Sequence, residues 1–259
     1  MRVYVCIKPV PDIYAPIQIR EGRLVTEAGR QVLNAYDASA VEEALVLREA
    51  HGGEVHVVMA GPEKAHEILR KALAMGADSG VHIRTDDLEA GDSALYARLL
   101  AAFFRDKAYD VLSFGKQSQD TDSGLAGAMV AQRLDLPYAT NAVGLQGEVQ
   151  GEEGRLVVRR QGDEGQEMIV LPFPCLVTCS NDMNDPRIPN LKGIMASKRK
   201  PVETIQASAL LEGQSDAPDT RVLGYREKPA RKAGPKFEGD PAETARLVAE
   251  KLAGEAGVL

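Results

Sequence analysis

The first apolar run, RVYVCIK from Arg2, is short and continuous rather than alternating, the pattern of a strand buried on both faces. EVHVVMA, SGVHIR and YDVLSFG repeat it further along the chain. The segments between them carry helical spacing. ASAVEEALVLREA follows Asp37, which can cap it, and stops at Gly52-Gly53. PEKAHEILRKALAMG has Pro62 in its first turn, and ALYARLLAAFFRD follows Asp92 and Ser93, either of which can cap it. This alternation predicts an α/β fold, doubly wound, with a mainly parallel sheet. Such sheets bind ligands at the carboxyl ends of their strands, where strand order reverses. With an order of 3-2-1-4-5, that point lies between the first and fourth strands. The loop leaving the fourth strand is FGKQSQDTDSGLAGAM, residues 114–129.

In this loop an apolar run ends at Gly115, and small residues follow Ser123-Gly124, which reads as strand, polar turn and helix N-terminus. Unpaired backbone N–H groups at such a terminus make a cradle for an anion or nucleotide. Ordinary βα connections share this composition; its place at the predicted reversal favours the nucleotide. Asp120 and Asp122 would repel a phosphate unless they face ribose hydroxyls, a metal or the loop's own amides.

Three stretches depart from simple winding. IQIREGRLVTE, residues 17–27, reads as a hairpin turning at Glu21-Gly22. After Pro137, four strand-like runs with Gly-rich turns should extend or flank the sheet. From Glu203 the chain is polar, rich in Pro and Gly and poor in core residues, so residues 1–202 are expected as the main domain and 203–259 as an extended C-terminal arm. The arm ends in an amphipathic helix with Asp240 as cap and Leu247, Val248 and Leu252 on one face.

A net charge of −7 over 259 residues argues against nucleic acid as the main partner, because phosphate contacts need a basic face. Cys6, Cys175 and Cys179 are odd in number and lie in strand-like contexts, so they are expected as reduced core thiols. The chain starts directly in a strand and has no apolar stretch long enough for a bilayer, so it is expected in the cytoplasm without stable membrane association. It contains neither G-x-x-x-x-G-K-[ST] nor G-x-G-x-x-G nor G-x-S-x-G. None of the four His is paired with a nucleophile, and two Asp fall short of a metal cage. A nucleotide that is bound but not processed is the economical expectation, with no catalytic residue.

VCIKPVPD, NAYDASAVEEALVLRE, ALAMGAD, FGKQSQDTD and NDPRIPNLKGIMASKRKPVE (residues 184–203) together resemble the β subunit of electron-transfer flavoproteins over nearly the whole chain. The resemblance implies an adenine-nucleotide α-hydrolase-like fold with added β-hairpins and an α subunit as partner. It also implies an FAD held with that subunit, a structural AMP, and electron flow from flavin dehydrogenases such as acyl-CoA dehydrogenases in fatty acid oxidation. By position it puts AMP against Cys6, Asn34, Ala35, Tyr36, Asp37, Ala60 and the run Gly115, Lys116, Gln117, Ser118, Gln119, Asp120, Thr121, Asp122, Ser123, Gly124, Leu125 and Ala126. Tyr14 would approach the flavin. The family's loop usually has three acids and then Gln-Thr before the next Gly, where this chain has Asp120-Thr121-Asp122 and Leu125-Ala126. Electron-bifurcating members hold a second FAD in place of AMP. A stand-alone ATP-binding signalling module is the alternative from another class, and it would need neither the 184–200 segment nor the arm.

PRIPNLKGIMASKRK reads by itself as a proline-punctuated connection and a solvated basic run. The resemblance implies a docking loop, residues 184–200, with Leu191 as anchor beside Ile194 and Met195, and Lys198, Arg199 and Lys200 steering the encounter. Lys192-Gly193 stands where the family usually has Pro-Asn.

Overall fold

A computed structural model describes the chain except residues 17, 26–30, 89–90, 151–152, 231–232 and 258–259. In chain order its elements are β1 (Arg2–Ile7), β2 (Pro9–Pro11), β3 (Gln18–Arg20), β4 (Arg23–Val25), β5 (Gln31–Leu33), α1 (Ala35–His51), β6 (Glu54–Gly61), α2 (His66–Met75), β7 (Ser79–Arg84), α3 (Ser93–Phe104) and β8 (Val111–Gly115). They continue as α4 (Ala126–Leu134), β9 (Tyr138–Gln150), β10 (Glu153–Gln161), β11 (Gln166–Pro172), β12 (Cys175–Cys179), α5 (Leu191–Ser197), β13 (Val202–Gln206), α6 (Ala207–Leu210) and α7 (Pro241–Lys251).

Nine strands form one sheet in the order β11-β10-β9-β12-β8-β1-β6-β7-β13. Its centre, β7-β6-β1-β8-β12, is parallel and has the expected 3-2-1-4-5 order. The strands after Pro137 widen it: β9 joins in parallel through β12, and β10 and β11 add antiparallel hairpins. Alternate side chains of β1 explain the two layers. Val3, Val5 and Ile7 enter one core with α1 and α2, while Cys6 enters the other with α3 and α4. The chain therefore winds one way on α1 and α2, reverses at β1, and winds back on the opposite face.

Two elements differ from expectation. Helix α1 begins at Ala35, two residues before Asp37, so Asp37 does not cap it. The main compact unit runs to Leu223 rather than stopping at residue 202. The reason is β13, which pairs in parallel with β7 as an edge strand, and Ala207 and Leu211, which are buried in the second core. Residues 224–259 form a separate unit containing α7. Asp240 caps α7 by accepting from the N–H groups of Ala242 and Glu243, and Leu247, Val248 and Leu252 stay exposed.

The expected hairpin is present as β3 and β4, antiparallel across Glu21-Gly22, both at positive φ. Its flanking residues 17 and 26–27 lie outside the described residues. The three cysteines are buried and free; burial pushes the thiols of Cys175 and Cys179 up to about 12. No described helix is long and apolar enough to cross a membrane.

Phe104 is fully buried at the end of α3, edge-on to Tyr4, Phe103 and Tyr109 at centroid distances of 5.4, 4.9 and 5.7 Å. Phe104→Ala is expected to cost about 3–5 kcal/mol, because the cavity would lie between a strand and a helix that cannot collapse together. Urea unfolding monitored by circular dichroism measures this.

Candidate functional site

The reversal point lies between the carboxyl ends of β1 and β8. Neighbouring strand ends diverge there, which leaves the backbone N–H groups of Lys8 and Gly115 inside the protein in need of acceptors. Both go to one carboxylate. Asp37, in the first turn of α1, accepts from the Lys8 N–H at 2.7 Å on Oδ2 and from the Gly115 N–H at 3.1 Å on Oδ1. Gly115 is required by this approach, since a Cβ there would sit 2.2 Å from Asp37 Oδ1. Burial pushes Asp37 up to about 7, against the lowering effect of these hydrogen bonds, that of Asn34 and the charge of Lys8.

Asn34 continues the clasp. Its Nδ2 donates to the Gln117 carbonyl at 2.8 Å and its Oδ1 accepts from the Gln119 N–H at 3.2 Å. Gln119 answers with Oε1, which accepts from the Ala35 N–H at 3.3 Å and so satisfies a free end of α1. The loop after β8 is thus laced to α1. Its acids are both engaged: Asp120 pairs with Lys8 Nζ at 2.8 Å, and Asp122, at positive φ, accepts from Gln117 Nε2 at 2.9 Å.

Behind the loop lies a cavity of about 490 Å³. Of the expected residues, Cys6, Asn34, Asp37, Ala60, Gly115, Lys116, Gln117, Ser118, Thr121, Ser123, Gly124, Leu125 and Ala126 line it. Ala35, Tyr36, Gln119, Asp120 and Asp122 lie beside it without lining it, and Tyr14 is 88% exposed on a turn elsewhere. Lys8, Asp92, Ser93, Tyr96, Phe114 and Met129 also line it; in the sequence Asp92 and Ser93 stood only as caps and Phe114 and Met129 only as the ends of the loop, while Lys8 and Tyr96 were not placed at the site. Lys8 follows β1 directly and so carried a legible signal, whereas Tyr96, inside α3, carried none. The end of α4 facing the cavity has no side-chain cap, leaving its first N–H groups open to an acceptor. Apolar walls and an amide rim suit a flat ring system carrying an anion.

The expected docking loop lies apart from this cavity and is held by α1 and α2. Arg187 forks onto Glu42, with Nε at 2.8 Å and Nη2 at 2.9 Å, and onto Glu49 at 2.6 Å. These hydrogen bonds raise the Arg187 pKa still further and, in Glu42, outweigh the effect of burial to hold the carboxyl below its usual value. Helices α2 and α5 then cap each other. Arg70 of α2 donates to the carbonyls of Ser197 and Lys200 at 2.7 and 2.9 Å, and Lys200 Nζ donates to those of Leu73 and Ala77. Gly193 lets the helices touch, since a Cβ would lie 2.5 Å from the Ala74 carbonyl oxygen. Lys200 is therefore a cap rather than a free charge, while Lys198 and Arg199 stay exposed. Leu191 is 75% exposed at the start of α5, with Ile188, Ile194 and Met195 also exposed around it.

Residues 22–210 match the family described as electron transfer flavoprotein domain. The chain belongs to the electron transfer flavoprotein family. It is 34% identical, over all of both chains, to the electron transfer flavoprotein subunit beta of Bacillus subtilis (strain 168). The Caffeyl-CoA reductase-Etf complex subunit CarD of Acetobacterium woodii is also 34% identical, across 97% of this chain and 98% of its own. The subunit beta of Syntrophomonas wolfei subsp. wolfei is 32% identical, across 96% and 95%. The resemblance expected from the sequence is thereby confirmed. In this electron transfer flavoprotein chain the cavity and the α5 patch are two separate features, one at the strand ends and the other on α2.

Because Asp37 holds its proton more tightly folded than unfolded, its titration favours the folded state at low pH. That contribution is expected to decline as pH rises from about 4 to about 7 and to level off above. Asp37→Asn should remove this slope while adding a pH-independent cost for the lost acceptor. Urea titrations of both proteins across this range measure the difference.

Proposed function

We propose that this chain is the β subunit of a heterodimeric electron-transfer flavoprotein that works in the cytoplasm. In this reading it takes electrons from flavin dehydrogenases and passes them on through an FAD held with an α subunit. The observation that carries it is the cavity at the reversal point. The missing side chain at Gly115 lets Asp37 fasten the loop after β8, and the cavity beside it, with open amides at α4, fits an adenine nucleotide. Asp120 is paired with Lys8 and Asp122 is held by Gln117 Nε2, so the repulsion that Asp120 would exert on an incoming phosphate is reduced. In this reading the amides around Ser123 to Gly127 hold the phosphate, Asp37 and Asn34 fix the loop that bears them, and the nucleotide is structural. FAD, when bound, supplies the one-electron chemistry. This chain contributes the exposed Ile13 and Tyr14 to its surroundings, and the α subunit has to supply the enclosure.

The purified heterodimer is expected to release one AMP and one FAD on denaturation, identified by mass spectrometry. The relationship to CarD gives the other outcome a place: two FAD and no AMP would mark the bifurcating type. ATP without flavin would overturn the proposal in favour of a signalling module.

The exposed leucine on α5 supports docking of the dehydrogenase. Its surroundings are fixed by the Arg187 fork and the Arg70 and Lys200 caps, so little order has to be gained on binding. Leu191→Ala is expected to leave folding and flavin content intact and to slow reduction by the dehydrogenase about thirtyfold, on the order of 2 kcal/mol. Stopped-flow reduction measures it; a wild-type rate would remove the leucine from the contact.

A further inference from the structure

The cavity is not closed by sheet and helices alone. After α6 the chain crosses back over α3, and Asp219, Thr220 and Val222 line the cavity beside Asp92 and Ser93. Two fastenings seat this strap, residues 217–222. Arg98 of α3 donates from Nη1 to Asp219 Oδ1 at 3.1 Å and from Nη2 to the Ala217 carbonyl, and its side chain is only 11% exposed. Asp92 divides its carboxylate between two tasks. Oδ1 accepts from the Leu95 N–H at 2.9 Å and caps α3, while Oδ2 accepts from the Thr220 N–H and hydroxyl at 2.8 and 2.9 Å.

The strap buries little apolar surface of its own. Val222 lines the cavity yet is 67% exposed, so an apolar side chain stands at the opening with most of its surface uncovered. Polar fastenings near the surface contribute modestly, which leaves seating close enough to balance for a ligand to bias it. A molecule in the cavity would cover Val222, and the seated strap would in turn block its exit.

We propose that residues 217–222 are a ligand-contacting wall of the cavity, with Arg98 and Asp92 as their positioning residues, and that an adenine nucleotide and the seated strap stabilise each other. This rests on the nucleotide reading given above. Linkage makes the effect reciprocal: whatever factor the seated strap adds to nucleotide affinity, the nucleotide adds to strap seating.

The test uses the heterodimer loaded with labelled AMP. Arg98→Met is expected to speed AMP release about tenfold, because the binding-competent, seated form becomes less populated. Asp219→Ala, at a side chain exposed enough to spare folding, is expected to speed it roughly threefold. Arg246→Met, which breaks a pair confined to α7, should leave release unchanged. Hydrogen exchange of residues 217–222 should slow when AMP is added to wild type and respond less in Arg98→Met. Equal release rates in wild type and both strap variants, or strap exchange indifferent to bound AMP, would overturn the coupling. A wild-type heterodimer that binds no AMP would overturn the nucleotide reading and the coupling together, and is recognised by that missing binding.

Discussion

One buried carboxylate sets the geometry of the cavity. Where β1 and β8 part, their crossovers leave on opposite faces of the sheet, and the N–H groups of Lys8 and Gly115 lose their ladder partners. Asp37 satisfies both from the first turn of α1, and these bonds recover only part of the cost of burying its charge, which is why its carboxyl is pushed up to about 7. Everything at the rim follows from this arrangement. Gly115 must lack a side chain, Asn34 comes to lie over the loop, and Gln119 reaches back to Ala35.

Helix α1 serves two places at once. Its first turn carries Asp37, and its later turns carry Glu42 and Glu49, which grip Arg187 at the start of the α5 loop. Helix α2 completes the hold through the caps it exchanges with α5. An exposed apolar patch is a liability when its backbone is loose, because any partner then has to order it. Here the backbone beneath Leu191, Ile194 and Met195 is fixed from both sides, and only side chains remain free.

The distribution of charge follows the same logic. The chain is acidic by seven units, and several of its cations are engaged internally: Lys8 with Asp120, Arg187 with two glutamates, and Arg70 and Lys200 with helix ends. Lys198 and Arg199 are left exposed beside the apolar patch. Local positive charge on an acidic body acts mainly within a Debye length, so it orients an encounter at that patch without drawing polyanions to the whole surface.

The sequence by itself determined the winding. Continuous apolar strands alternating with capped helices admit few arrangements, and the right-handed crossover then places the reversal between β1 and β8. The loop after β8 and the family were legible for the same reason, since both lie in contiguous residues. What only the tertiary structure decided depends on contacts between residues far apart in the chain. Asp37 looked like a helix cap and is a clasp, because its partners come from β1 and β8. Lys200 looked like a free cation and closes the end of a helix more than a hundred positions away in the chain. The strap read as polar, coreless arm, and only Arg98 and Asp92, more than a hundred residues earlier, bring it to the cavity. Local pattern encodes which faces are buried; it does not encode where an unpaired N–H or carbonyl will find its acceptor or donor.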